Sequence, residues 1–226
     1  IGHFGSFSFH EKKNINSFGE GGILATGLPI GERLKQARFL GLDSSRKAAD
    51  WIYDVVALEG KRAPFAAGNA SSTEIQAVGL LLQLERIESI IAARRRSVEY
   101  LNRRFAVSAA IITQLLDTED IKSSYHLYLF QLDPDRAGGD IRALKAKLRE
   151  RGVVNVPHFA PLYKFELLRR LGYDVHRIEK SCPVTEEAFA RRFTHLPLHG
   201  LAPGELERMA DAVLESVAEL RASCSL

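Results

Sequence analysis

The stretch from Thr73 to Phe105 constrains the fold of this chain most. Ile75, Val78, Leu82, Ile87, Ile90, Ile91, Val98, Leu101 and Phe105 recur at broadly helical spacing over more than thirty positions. Ser71 and Glu74 have capping-box spacing, which sets the expected start of a long helix at about Thr73. A helix of that length exceeds the usual globular range, so it is expected to bend or to join two domains. What flanks it differs in kind. Residues 1–26 alternate short aromatic or apolar runs with glycine, as strands and tight turns do, and Ile23–Thr26 reads as a short strand. A helix is expected near 29–40, and Trp51 and Tyr53 are expected packing anchors. Downstream, a strand at Tyr125–Leu132, a helix at Ile141–Glu150, a strand at Val153–His158, two short helices and a strand near Thr194–Leu198 precede a last amphipathic helix through Leu206, Met209, Val213, Val217 and Leu220. Strands alternating with helices make 106–226 a small α/β domain.

Composition excludes several classes. The 226 residues are 46% hydrophobic and 26% charged, with a net charge of +3. No run approaches the roughly 20 apolar residues of a membrane span. Arg94-Arg95-Arg96 and Arg103-Arg104 are interspersed with Glu85, Glu88 and Glu99 and lack alternating aromatics, so a solvated helix face is expected rather than a nucleic-acid surface. Two distant cysteines, Cys182 and Cys224, support neither a disulfide framework nor a cysteine-rich metal site. The expectation is a cytoplasmic protein with no metal, no nucleic-acid partner and no membrane contact. The start at Ile1 reads as that of a truncated or processed chain.

The chemistry is concentrated near the beginning. Phe7-Ser8-Phe9-His10-Glu11-Lys12-Lys13-Asn14 places a hydroxyl, an imidazole and amines in one short segment, and Gly19-Glu20-Gly21-Gly22 follows as a turn. A lysine there can form a Schiff base with a carbonyl cofactor, and the serine five residues earlier can hold its phosphate. On the dipeptide alone, Lys12-Lys13 would be a basic surface turn; the ordered set around Lys13 favours the chemical reading.

With these residues the chain resembles the DegT/DnrJ/EryC1/StrS aminotransferases. Gly68-Asn69 with Thr73-Glu74-Ile75-Gln76-Ala77 is similar to that family's GxN…SEIQAA segment. His158-Phe159-Ala160-Pro161-Leu162-Tyr163 is similar to HYxPLH, and Leu196-Pro197-Leu198-His199 to LPLH, all in the family's order. The resemblance implies a fold-type-I α/β enzyme using pyridoxal 5′-phosphate (PLP). Residues 1–72 would be the end of its large cofactor-binding domain, 73–105 a linking helix, and 106–226 the small C-terminal α/β domain. It makes Lys13 the lysine that holds the cofactor, and Ser8 a donor to its phosphate. Asn69 would reach the phosphate of a neighbouring subunit, which implies a homodimer with shared sites. His10 would lie near the cofactor, or support the turn as a hydrogen-bonded histidine. His158, Tyr163 and His199 are pocket candidates, the two histidines equally readable as satisfied strand-end residues. Gly19, Gly21 and Gly22 read as shape rather than chemistry.

The activity so implied is transfer of an amine, from glutamate as the expected donor, to a keto-sugar that is generally nucleotide-linked. Lys12 stands where threonine is common, Ala70-Ser71-Ser72 replaces an aromatic-basic-methionine run, and Tyr163 stands where many relatives have histidine. The family's N-terminal half, with its ring-stacking aromatic and the aspartate that pairs with the pyridine nitrogen, is not in these residues, so the chain alone is expected to be inactive. Lysine rather than histidine at position 13 favours transamination over the dehydrating branch of the family. The alternatives are a degenerate non-catalytic or regulatory member of the same fold, or a related sugar-modifying enzyme that uses PLP or its pyridoxamine form.

Overall fold

The computed structural model describes residues 2–43, 54–55, 58, 64–153, 160–198, 200–202 and 204–224. It divides into two compact units, Ile1–Ile87 and Glu88–Leu226. The expected anchors Trp51 and Tyr53 lie outside the described residues, as does all of the expected Val153–His158 strand except Val153.

In the first unit, β1 (Phe4–Ser8) and β2 (Gly22–Thr26) form an antiparallel ribbon running from Phe4 opposite Thr26 to Ser8 opposite Gly22. A Cβ on Gly22 would stand 2.8 Å from the Phe7 carbonyl oxygen, so only glycine lets the ribbon close there. Helix α1 (Gly31–Arg38) follows, then the two-residue strands β3 (Leu42–Asp43) and β4 (Asp54–Val55), paired antiparallel.

The single long helix expected from the sequence is two helices, α2 (Glu74–Leu84) and α3 (Ile87–Phe105). The break has a local cause. Arg86 N–H closes on Gln83 O in a tightened turn, and the Arg86 guanidinium takes the Leu82 carbonyl that would continue the ladder. The apolar residues Leu82 and Ile87 on the two sides of the break stand five positions apart, out of helical phase. The N-terminal cap also differs from expectation. Thr73, not Ser71, caps α2: its Oγ1 accepts Gln76 N–H at 3.3 Å while Gln76 Oε1 accepts Thr73 N–H at 2.9 Å. Ser71 is held back in the preceding turn, where its N–H donates to Asn69 Oδ1 at 3.0 Å.

The second unit holds the hydrophobic core, whose buried side chains among the described residues run from Val98 to Leu220. Its sheet is antiparallel, in the order β5 (Ile111–Ile112), β6 (Tyr128–Leu132), β7 (Phe193–Leu196). Strand β6 buries Tyr128, Phe130 and Leu132 and exposes Leu129 and Gln131 in strict alternation. It is shorter than expected because Tyr125 takes positive φ (47°) and its hydroxyl turns to Asp117 Oδ1 at 2.7 Å. The short α4 (Pro134–Ala137) and α5 (Ile141–Glu150) begin at the side-chain caps Asp133 and Asp140. Helices α6 (Glu166–Arg170), α7 (Val175–Lys180) and α8 (Pro183–Glu187) cross to β7, and α9 (Glu205–Cys224) closes the chain. Glu219 of α9 pairs with Lys147 at 2.8 Å and with Arg151, tying α9 to α5. Among the described residues no helix is long and apolar enough to cross a membrane.

Burial pushes the Tyr128 phenol up to about 12, with its hydroxyl donating to Asn102 Oδ1 at 2.7 Å. The unfolded phenol titrates near about 10. The fold therefore holds this proton more tightly than the unfolded chain does. Its contribution to stability is complete below about pH 10 and is lost as pH rises through about 12. Replacing Tyr128 with phenylalanine should flatten the fall of the urea midpoint across that window; an unchanged slope would remove Tyr128 from the alkaline transition.

Candidate active site

The site is built on the loop that joins β1 to β2. Beyond Ser8 the two arms remain bonded, Phe9 N–H to Gly21 O at 2.8 Å and Glu11 N–H to Gly19 O at 2.7 Å. Between them the chain makes a compact turn in which Lys13 N–H donates to His10 O at 2.9 Å and Ser17 N–H returns to Phe9 O at 2.9 Å. Ser17 organises this loop. It is 2% exposed, and its hydroxyl points at the carbonyls of Phe9 (3.1 Å) and Glu20 (2.8 Å). A Cβ on Gly21 would stand 2.2 Å from Ser17 Oγ, which confirms that this glycine is there for shape. Phe18 takes a positive φ of 59°, a rare conformation for an aromatic residue, and leaves its ring 68% exposed.

Three of the expected site residues fall within this loop. Ser8 Oγ accepts the His10 N–H at 3.3 Å, so the serine proton is left to donate elsewhere. His10 Nδ1 accepts the Lys12 N–H at 3.2 Å, and Nε2 lies 3.5 Å from Glu20 Oε1. Both ring nitrogens are thus engaged within the loop, which favours the turn-supporting reading of this histidine. The two lysines part company. Lys12 is exposed and pairs with Glu11 at 3.0 Å, and its hydrogen bond and charge hold the Glu11 carboxyl below its ordinary range. Lys13 is half-buried, and no hydrogen bond or ion pair occupies its amine among the described residues.

The other candidates lie elsewhere in sequence and fold. Asn69 sits on a segment bridged to Phe39, flanked by Leu40 N–H to Gly68 O and Ala70 N–H to Arg38 O. Its Oδ1 is committed to Ser71. Tyr163, in the second unit, donates to Glu186 Oε1 at 2.6 Å, and that bond pushes its phenol above the ordinary range. Lys164 bridges Glu186 and Glu179 beside it. His158 and His199 lie outside the described residues. No cluster of His, Cys, Asp and Glu capable of holding a metal occurs among the described residues.

The loop is also held from outside, by residues to which the sequence reading gave no role in it. Gln76, Gly79 and Gln83 of α2 all meet it. Part of the signal was present in the sequence: Gly79 is unfavourable inside a lone helix, and Gln83 is the one polar side chain in the otherwise apolar run from Val78 to Leu84.

Comparison with known proteins shows the family and the fold. Residues 1–214 match the DegT/DnrJ/EryC1/StrS aminotransferase family, and the chain belongs to it. It is 25% identical to GDP-perosamine synthase of Caulobacter vibrioides over 94% of this chain and 52% of that one. It is 26% identical to the spore coat polysaccharide biosynthesis protein SpsC of Bacillus subtilis over 97% of this chain and 54% of that one. Among solved structures, the PLP form of Spr1654 from Streptococcus pneumoniae superposes with a TM-score of 0.75 at 26% identity, over 97% of this chain and 53% of that one. The chain spans about half the length of the curated relatives it matches.

Proposed function

We propose that this chain carries the lysine-bearing part of a PLP-dependent aminotransferase that converts a nucleotide-linked keto-sugar to an amino-sugar, with glutamate as donor. One observation supports this above the others: a half-buried lysine whose amine has no competing partner among the described residues lies on a tight loop that begins at a serine whose hydroxyl proton is left to donate. That donor set fits PLP, which presents an aldehyde to an amine and a phosphate to hydrogen-bond donors. When bound, PLP supplies a conjugated electron sink that makes the proton on the amine-bearing carbon of the donor acidic.

The residues of this chain then have definite tasks. Lys13 Nζ would hold the cofactor, and its amine would serve as the base that takes the proton from the donor carbon and as the acid that gives it back. Ser8 Oγ, which keeps its proton for an outside acceptor, would donate to the cofactor phosphate. His10 and Ser17 keep the loop closed so that both groups face one ligand. Asn69, as the resemblance implies, reaches the phosphate of a second subunit, which makes the working unit a homodimer. The names of the Caulobacter and Bacillus relatives support a sugar acceptor.

The test is borohydride reduction of the protein incubated with PLP, followed by peptide mapping. A pyridoxyl group concentrated on Lys13 supports the assignment. Labelling spread evenly over surface lysines overturns it.

A further inference from the structure

Helix α2 presents Gln76, Gly79 and Gln83 to the lysine loop at i, i+3 and i+7, one stripe of its surface. Gln83 reads both backbone groups of a single residue. Its Oε1 accepts Asn16 N–H at 3.1 Å and its Nε2 donates to Asn16 O at 2.8 Å. The second Nε2 proton goes to Gly79 O at 2.9 Å, which fixes the way the amide faces. A turn earlier, the Phe18 ring fills the space above Gly79: a Cβ there would stand 2.1 Å from Phe18 Cε2. At the far end, Gln76 Nε2 donates to Glu20 O at 3.3 Å. Residues 10–16 are therefore a closed turn with both feet held. One foot is the Phe9–Ser17 pair, and the other is Asn16 on Gln83. Lys13 is at the middle of that turn.

We propose that Gln83 and Gly79 are positioning residues for Lys13, setting the depth and angle at which the loop presents its amine. The proposal rests on the reading of Lys13 given above. The pairing is demanding in chemistry and in size. Leucine at 83 would keep the bulk and leave both Asn16 backbone groups without partners. Alanine at 79 would favour the helix itself, since interior glycine is the poorer helix former, yet its methyl would meet the far edge of the Phe18 ring, which must swing aside.

The test compares the wild-type chain with Gln83→Leu, Gly79→Ala and the double variant Gly79→Ala/Phe18→Ala. One readout is hydrogen exchange at the amides of Glu11 and Ser17. The other is the ratio of borohydride-trapped PLP on Lys13 to that on the exposed reference Lys122. Exchange at Val98–Phe105 reports that the second unit stays folded. Gln83→Leu should speed loop exchange about tenfold and lower the Lys13 ratio by a similar factor, and Gly79→Ala should move both readouts in the same direction. Removing Phe18 in the Gly79→Ala background makes room for the new methyl and should return both readouts toward wild type. A purely helical role for Gly79 predicts the reverse, slower exchange and an unchanged ratio. Faster exchange with an unchanged ratio overturns the proposal, as does unchanged exchange. A wild-type ratio near one defeats the reading of Lys13 instead, and loop exchange alone then decides whether α2 holds the loop.

Discussion

Alanine in place of Lys13 is expected to abolish transamination and to remove the specific covalent capture of PLP. The proposed reading puts two functions in one amine, so the loss compounds. A positioned general acid–base group contributes about 10²–10⁴-fold by itself, and loss of covalent holding adds to that. Arginine at 13 should be no better than alanine, because a guanidinium stays protonated at any working pH and cannot accept the proton. Lys12 offers a built-in control. It is adjacent, exposed and paired with Glu11, so Lys12→Ala should retain turnover. The measurement is ketone-dependent consumption of glutamate by the full-length protein carrying each substitution. Substantial turnover in Lys13→Ala would place the catalytic amine elsewhere and defeat the assignment.

Phe105→Ala should have the largest effect on stability. Phe105 is fully buried at the end of α3, and its ring meets Tyr128 at 5.7 Å and Phe130 at 5.8 Å, both edge-on. Removing it forfeits the transfer energy of the ring, two aromatic contacts and the packing beneath β6. The loss is about 3–5 kcal/mol, against a total of about 5–15 for an ordinary domain. Urea denaturation followed by far-UV circular dichroism should show the midpoint for the second unit fall steeply. Val107→Ala, at a side chain 79% exposed, should shift it by no more than about 0.5 kcal/mol. Equal effects at the two positions would mean that the aromatic cluster is not the core of this unit.

Much of the outline was legible because it depends on local periodicity and local chemistry. Helix α5 has the bounds read for it, and α9 runs through the expected apolar residues. The alternation along β6 appears as it reads, although its first residues turn away at Tyr125. The ends of the long helix were less legible. Capping-box spacing occurs twice within six residues, and only the turn held by Asn69 selects Thr73 over Ser71. The break at Glu85–Arg86 depends on where an arginine side chain finds a carbonyl, which spacing alone does not specify.

The candidate site divides in the same way. By itself the sequence determined the order Ser8, His10, Lys13 and the glycine turn, since these residues are close in the chain and their functional groups are intrinsic to them. It did not distinguish Lys12 from Lys13 on physical grounds; resemblance did that. The tertiary structure adds a physical difference between the two: Glu11 pairs with Lys12, while the closed turn half-buries Lys13, whose amine has no partner among the described residues. Nor did the sequence connect Asn16 to Gln83 or Phe18 to Gly79, more than sixty positions apart. Those contacts exist only once α2 is laid against the loop, where a helix glycine makes space for a ring and one amide satisfies two backbone groups.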